Sequence, residues 1–398
     1  MAGLQRNQSA NYKRRCGRAK TMAICLSHSG DAIYSSNAPS NEVFVGTTDG
    51  VFLLTRDKNG GAWDTARQSL KGYHVCSMLI EPSSGAIFAA THNGGVAVSR
   101  DSGRNWDFCN RGLTALNAYS VAYSQAGGRV RMYAGTEPAH IFVSEDLGAN
   151  WRELASMRSV ANVNEWNFPA PPHVAHVKVI AIDPHNPDCI YSCVEQGELL
   201  RSTDGGASWQ DLLGPGGILK ESEGDAHRLI IRPSHPEEFF MPTGFGLFHS
   251  FDSGRTWKNE GERLSRIGYP DPLVFHPKRE DLMFIAGGRQ NPGFWLQSKN
   301  ADSAVARSRD GGTTWELIMR GLPMPMKANF EALTLEAWNG SCALFLGDTN
   351  GDIFYSDDEG ENWRRIAELP AISKGGHHML LKEGSGRPRE SQIESGGA

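Results

Sequence analysis

The chain reads as an all-β protein: a single seven-bladed β-propeller of four-stranded antiparallel blades. Three observations predict this. The pattern Ser-x-Asp-x-Gly-x-x-Trp occurs six times, at Ser99–Trp106, Ser144–Trp151, Ser202–Trp209, Ser250–Trp257, Ser308–Trp315 and Ser356–Trp363. A worn seventh copy with one inserted residue spans Thr55–Trp63. Successive copies start 44, 45, 58, 48, 58 and 48 residues apart, and a fixed period of roughly 20–50 residues marks one supersecondary unit per copy. Between copies the chain runs in short β-branched and aromatic stretches broken by Gly, Asp and Pro.

The unit around Trp209 shows each element in order. His176–Asp183 is an apolar run ended by Pro184, and Cys189–Val194 is a second. After a turn at residues 195–197, Glu198–Ser202 enters the octad and Trp209–Leu213 closes the unit. Four such runs make an antiparallel meander, strands A to D, with the octad at the C–D hairpin. Its Asp accepts from turn amides, its Gly takes positive φ and its Trp packs under the hairpin.

Aligned on the Pro or equivalent after them, the A strands are His74–Glu81, Asn117–Ser124, His176–Asp183, Asp225–Arg232, Tyr269–His276, Asn329–Glu336 and Gly375–Lys382. That makes seven. The ordered pattern begins at a B strand, Asn41–Gly46, and ends at an A strand. The last A strand is therefore expected to pair with the first B strand, a velcro closure that removes the open edge. Residues 1–40 are expected to be a disordered extension, residues 41–383 the propeller, and residues 384–398 a disordered tail.

Composition bounds the function. A net charge of −5 gives no case for nucleic acid, and no apolar run is long enough to span a membrane. The basic start (Arg6, Lys13, Arg14, Arg15, Arg18, Lys20) lacks the apolar core of a secretory signal. Seven cysteines without framework spacing suit a reducing compartment, so a cytoplasmic location is expected.

The octads resemble the Asp-box, or BNR repeat. Propellers of that group include sialidases, two-propeller xyloglucanases, sortilin-type receptors and a photosystem assembly factor. The resemblance covers about residues 42–383. It implies the propeller fold and a purely structural role for the octad, far from the site.

The alignment also locates a candidate site. Eight residues before the aligned Pro stand His74, Asn117, His176, Asp225, Tyr269, Asn329 and Gly375; six before it stand Cys76, Tyr119, Lys178, His227, Asp271, Glu331 and His377. Four before it, every position is apolar. Alternation puts the two polar sets on one face of each strand, at the end away from the octads. Neutral imidazole beside carboxylates is a common ligand set for Zn, Fe or Mn, so His227, His377, His176 and His74 are candidate ligands of a divalent metal. Glu331, Asp271, or Glu195 and Glu137 on the B–C turns, are then candidate general bases. Tyr119 and Tyr269 are candidate proton donors, and Lys178, Arg228 and Arg289 candidate anion clamps. Two insertions, Arg152–Val174 and Gly287–Ala304, are expected to cover the channel with Trp166, Phe168, His173, Phe294 and Trp295.

The function expected from this mouth is a metal-dependent hydrolase or lyase acting on a small polar or cyclic substrate. A non-catalytic binding or assembly propeller is the first alternative, and a glycoside hydrolase with paired carboxylates the second. Sialidase-type and xyloglucanase-type sites are both disfavoured. For the first the resemblance implies an arginine triad, and the A-strand starts bring only Arg228; for the second it implies a cleft between two propellers, and one is expected here.

Overall fold

In the computed structural model, which describes residues 23–57, 60–168, 172–195, 197–213 and 225–373, the strands form seven separate sheets. Each is a blade of four antiparallel strands in chain order, except where the N-terminal segment intervenes. Inner and second strands are buried along nearly their whole length, as in Ile87–Thr91 and Phe330–Trp338. Each blade is packed between two others, so its faces read as apolar runs without alternation. Five of the seven outermost strands are two-residue edges, as in Asp107–Phe108 and Lys258–Asn259, while Trp63–Ser69 and Arg364–Glu368 are longer. Short edges of this kind resist pairing with another molecule.

The octads form the expected turns. In the blade of Trp257, Ser250 Oγ accepts from the Gly254 amide at 2.9 Å, and Asp252 Oδ1 accepts from the Thr256 amide at 2.8 Å. Two consecutive residues take left-handed backbone, Ser253 at φ 60° and Gly254 at φ 81°. The indole nitrogen of Trp257 closes the turn on the Gly254 carbonyl at 3.0 Å. Trp151 and Trp363 instead reach carbonyls of the preceding blade, at Cys109 and Ile318, and so couple neighbours.

The N-terminus departs from expectation. Residues 24–35 form three short strands, β1 (Ile24–Leu26), β2 (Ser29–Gly30) and β3 (Ile33–Ser35). β1 pairs parallel with β4 (Glu42–Thr47) and takes the inner position of blade one. β2 adds to the inner edge of blade two at Ser77 and Met78, and β3 to that of blade seven at Leu335–Ala337. The segment thus crosses the central channel. The apolar runs Ala23–Leu26 and Ala32–Tyr34 explain it: Ile24, Cys25 and Leu26 are fully buried. The edge of β4 is therefore taken by β1, and the strand expected there, Gly375–Lys382, lies outside the described residues. Glu336 of blade seven accepts from the Ser40 amide at 2.9 Å and from Ser36 Oγ at 2.5 Å, tying the last blade to the first.

Candidate functional site

The inner strands share a defect at one height. In blade two, Val75 pairs with Thr91 and Ser77 with Ala90, leaving Cys76 over. Tyr119, Lys178 and Glu331 are left over in the same way, and Asp271 with Pro272 stands opposite a single partner residue. These β-bulges break the period of two and re-aim the side chain. Propeller blades stand radially, so regular alternation aims inner-strand side chains at neighbouring blades. The bulge turns the second polar set toward the axis instead. Counting from Pro located these residues; single-strand alternation misjudged how they reach the channel.

They converge on a buried charge network. Lys178 Nζ of blade four lies 3.1 Å from Asp271 Oδ2 of blade six, skipping the blade between, and 2.8 Å from Glu195 Oε1. Arg228 Nε meets Asp271 Oδ1 at 3.0 Å. His28, from the N-terminal segment, places Nε2 3.3 Å from both Asp271 Oδ2 and Glu331 Oε2. The Arg228 guanidinium also donates to the His28 carbonyl. Asn329 Nδ2 donates to Glu331 Oε1 at 2.8 Å. Burial alone raises the Asp271 carboxyl, but Lys178 and Arg228 outweigh it and hold it well below the usual range. Glu195 is likewise held ionised against its burial by Lys178 and His176. Burial disfavours the Lys178 ammonium, yet Asp271 and Glu195 keep its pKa raised.

The histidines are similarly occupied. His227 Nδ1 faces the Pro270 carbonyl at 2.7 Å and Nε2 faces Asp225 Oδ1 at 3.5 Å. His176 Nε2 lies 2.6 Å from Glu195 Oε2. Among the described residues, three groups bring three ligand-type atoms within 4.8 Å of one another: His74, Cys76 and His92; His28, Asp271 and Glu331; Glu195, Asp225 and His227. In the last two the carboxylates already have Lys178, Arg228 and imidazoles as counter-charges. His377 lies outside the described residues.

Above this network the rings form a ladder across three blades. His74 stacks on His92 at 5.1 Å, His92 meets Tyr119 edge-on at 4.5 Å, and Tyr119 stacks on His176 at 3.8 Å. Phe168, from the first insertion, leans on His176 at 5.2 Å. Burial and the neighbouring thiol and carboxylates push the Tyr119 phenol far up, so it is a poor proton donor near neutrality.

The remaining expected residues scatter. Arg289 is exposed and pairs with Asp302 at 3.3 Å, outside the network. His173 is exposed and bonds the Phe168 carbonyl at 3.0 Å. Trp295 is 1% exposed and packs edge-on to Tyr269 at 5.3 Å. Its insertion is not an open loop. Pro292–Ser298 is an α-helix, capped by Asn291 Oδ1 accepting from the Phe294 amide, with Pro at its first turn. Trp166 stays half-buried beside Gly197. His28 went unread because it precedes the first repeat; only the short apolar runs flanking it hinted at order there.

The fold and mouth define a seven-bladed propeller with a closed charged channel and an aromatic rim. Among curated proteins the chain is similar to xyloglucanase Xgh74A of Acetivibrio thermocellus, 26% identical over 216 residues, 47% of this chain and 24% of that protein. It is 26% identical over 295 residues to a Paenibacillus xyloglucanase, covering 64% and 27%. It is 24% identical over 203 residues to the oligoxyloglucan-reducing end-specific xyloglucanase of Emericella nidulans, covering 46% and 23%. The chain thus spans about a quarter of the length of these relatives. Its fold is that of an ancestral GH74 enzyme, with a TM-score of 0.56, 15% identity and coverage of 74% of this chain and 38% of that one. YCF48 bound to D1 peptide gives 0.50 and 16%, covering 81% and 91%. No family profile matches the chain.

These relatives overturn the expectation of a metal-dependent hydrolase or lyase for a small polar substrate, since they are xyloglucanases by name. Part of the set that reads as ligands has another role: Asp271 and Glu195 pair with Lys178 and Arg228 rather than standing free at the mouth.

Proposed function

We propose that this propeller is a glycoside hydrolase whose channel mouth takes a xyloglucan-type polysaccharide. The observation behind the reading is the ring ladder from His74 to Phe168, in which His74 and His176 are buried and the half-buried His92, Tyr119 and Phe168 are left at the rim for contact with sugar rings. The xyloglucanase relatives favour the same class.

A glycosidase pairs one ionised carboxylate with one that delivers a proton. Glu195 suits the first role, because Lys178 and His176 keep it ionised despite burial. Glu137 flanks the same imidazole, its Oε2 4.0 Å from His176 Nδ1, and its half-buried side chain reaches the mouth. In this reading Glu137 and Glu195 are the carboxylate pair, with Glu195 as the base or nucleophile. The ladder orients the chain across them.

A second reading is glycan binding without cleavage. The closed pairing of Asp271, Lys178 and Arg228 favours it, since those groups are committed to one another.

Reducing ends released from xyloglucan, with depletion of soluble protein onto the polymer, separate the readings. Hydrolysis abolished by Glu195→Gln and by Glu137→Gln supports the enzyme. Binding with no release supports the second reading, and neither binding nor release overturns both.

A further inference from the structure

Below the charged network, on the side away from the mouth, the channel holds a cavity of about 510 Å³. That lies within the range of about 300–1,000 Å³ typical of small-molecule sites. Its walls are the far halves of the inner strands of blades three to six, including Tyr123, Ala181, Ile231 and Phe275. The N-terminal segment forms one side and contributes Asp31. This cavity is separate from the rim ladder, and its chemistry is independent of the carbohydrate reading.

Asp31 is the uncompensated group of the cavity. Its amide donates to the Met78 carbonyl at 3.1 Å and its carbonyl accepts from Tyr34 at 3.1 Å, which fix the backbone. No cation among the described residues acts on its carboxylate, and burial alone pushes the pKa up to about 7. The other charged wall residues are occupied. Asp183 accepts from the amides of His185 and Asn186 at 2.8 and 3.0 Å. Arg228 is held by Asp271 and the His28 carbonyl. Tyr123 lies close enough to Asp31 and Glu81 for both carboxylates, with burial first, to raise its phenol. Asp31 is half-buried in the cavity wall, and a carboxylate so placed without a counter-charge costs free energy that an incoming cation recovers. An aromatic face beside it adds attraction for the same charge.

We propose that this cavity binds an organic amine, its ammonium at Asp31 beside the Tyr123 ring and its apolar body against Ala181, Ile231 and Phe275. The amine is a primary or secondary one small enough to enter the lower channel. Neutral ligands of the same shape gain only the apolar contact.

Calorimetric titration of the full chain at pH 8 with phenethylamine and with phenethyl alcohol tests this. The amine is expected to bind about tenfold or more tightly than the alcohol, and Asp31→Asn to erase the difference. Equal affinities, no binding of either probe, or a preference that survives Asp31→Asn overturns the proposal. Should the variant fail to fold, the wild-type chain still decides. Amine affinity is expected to fall as pH is lowered from 8 to 6 and Asp31 takes up a proton, while alcohol affinity stays constant. An amine affinity flat over that interval overturns the proposal.

Discussion

Lys178 is the residue on which the channel depends most. It is 3% exposed and compensates two buried carboxylates, Asp271 and Glu195, from different blades. Removing one partner of a buried pair leaves the other charge unpaired. Lys178→Met is therefore expected to cost about 3–5 kcal/mol by chemical denaturation. The left-handed pair in each octad gives a second residue-level test. Ser102, Leu147, Ser253 and Glu359 occupy the first left-handed position without glycine's freedom. Ser253→Gly is expected to be neutral or stabilising by up to about 1 kcal/mol, and Gly254→Ala destabilising by about 1–2 kcal/mol, in thermal melts. An added Cβ on Gly254 stands 3.2 Å from Leu212. At this scale much was legible: position relative to Pro picked out Lys178, Asp271 and Glu331 before their contacts were known. Their mutual neutralisation was not legible, because partners two blades apart lie about 90 residues apart in the chain.

The elements that sequence missed are those without a repeat behind them. β1 to β3 total eight residues, too few for a periodicity signal, yet they fill the inner edge of blade one and span three blades. The helix Pro292–Ser298 hid inside an insertion read as loop, although its Asn-Pro start is a capping signal. The bulges were invisible for another reason. They arise where one inner strand carries an extra residue against its neighbour, which pairing alone reveals. Deleting residues 1–35 is expected to expose the β4 edge and strip His28 from Asp271 and Glu331. Hydrogen exchange at the Val43–Val45 amides should then rise by orders of magnitude, with a lower melting temperature. Unchanged protection would mean that β1 does not hold that edge.

For the whole molecule, acid should be the sensitive direction. Asp271 and Glu195 have folded pKa values depressed below their ordinary 3.8 and 4.5, chiefly by Lys178 acting against burial. A depressed carboxyl contributes stability that is present above its unfolded pKa and is lost as pH falls through the folded value. The melting temperature should therefore fall steeply below about pH 4, and less steeply in Lys178→Met. His227 acts oppositely. Burial and Lys178 lower its pKa, but Asp225 and Asp271 outweigh them, so its contribution is full below 6.5 and fades as pH rises through the raised value.

Recognition of a glycan at the rim is the central claim, and Phe168 is its most separable part, since it sits on an insertion outside the buried network. The direct measurement is the affinity of the full chain for a xyloglucan oligosaccharide, with and without Phe168→Ala. The account predicts saturable binding weakened about tenfold by the variant, as loss of one stacking ring implies. Failure of the wild-type chain to bind, or equal binding by both proteins, would contradict it.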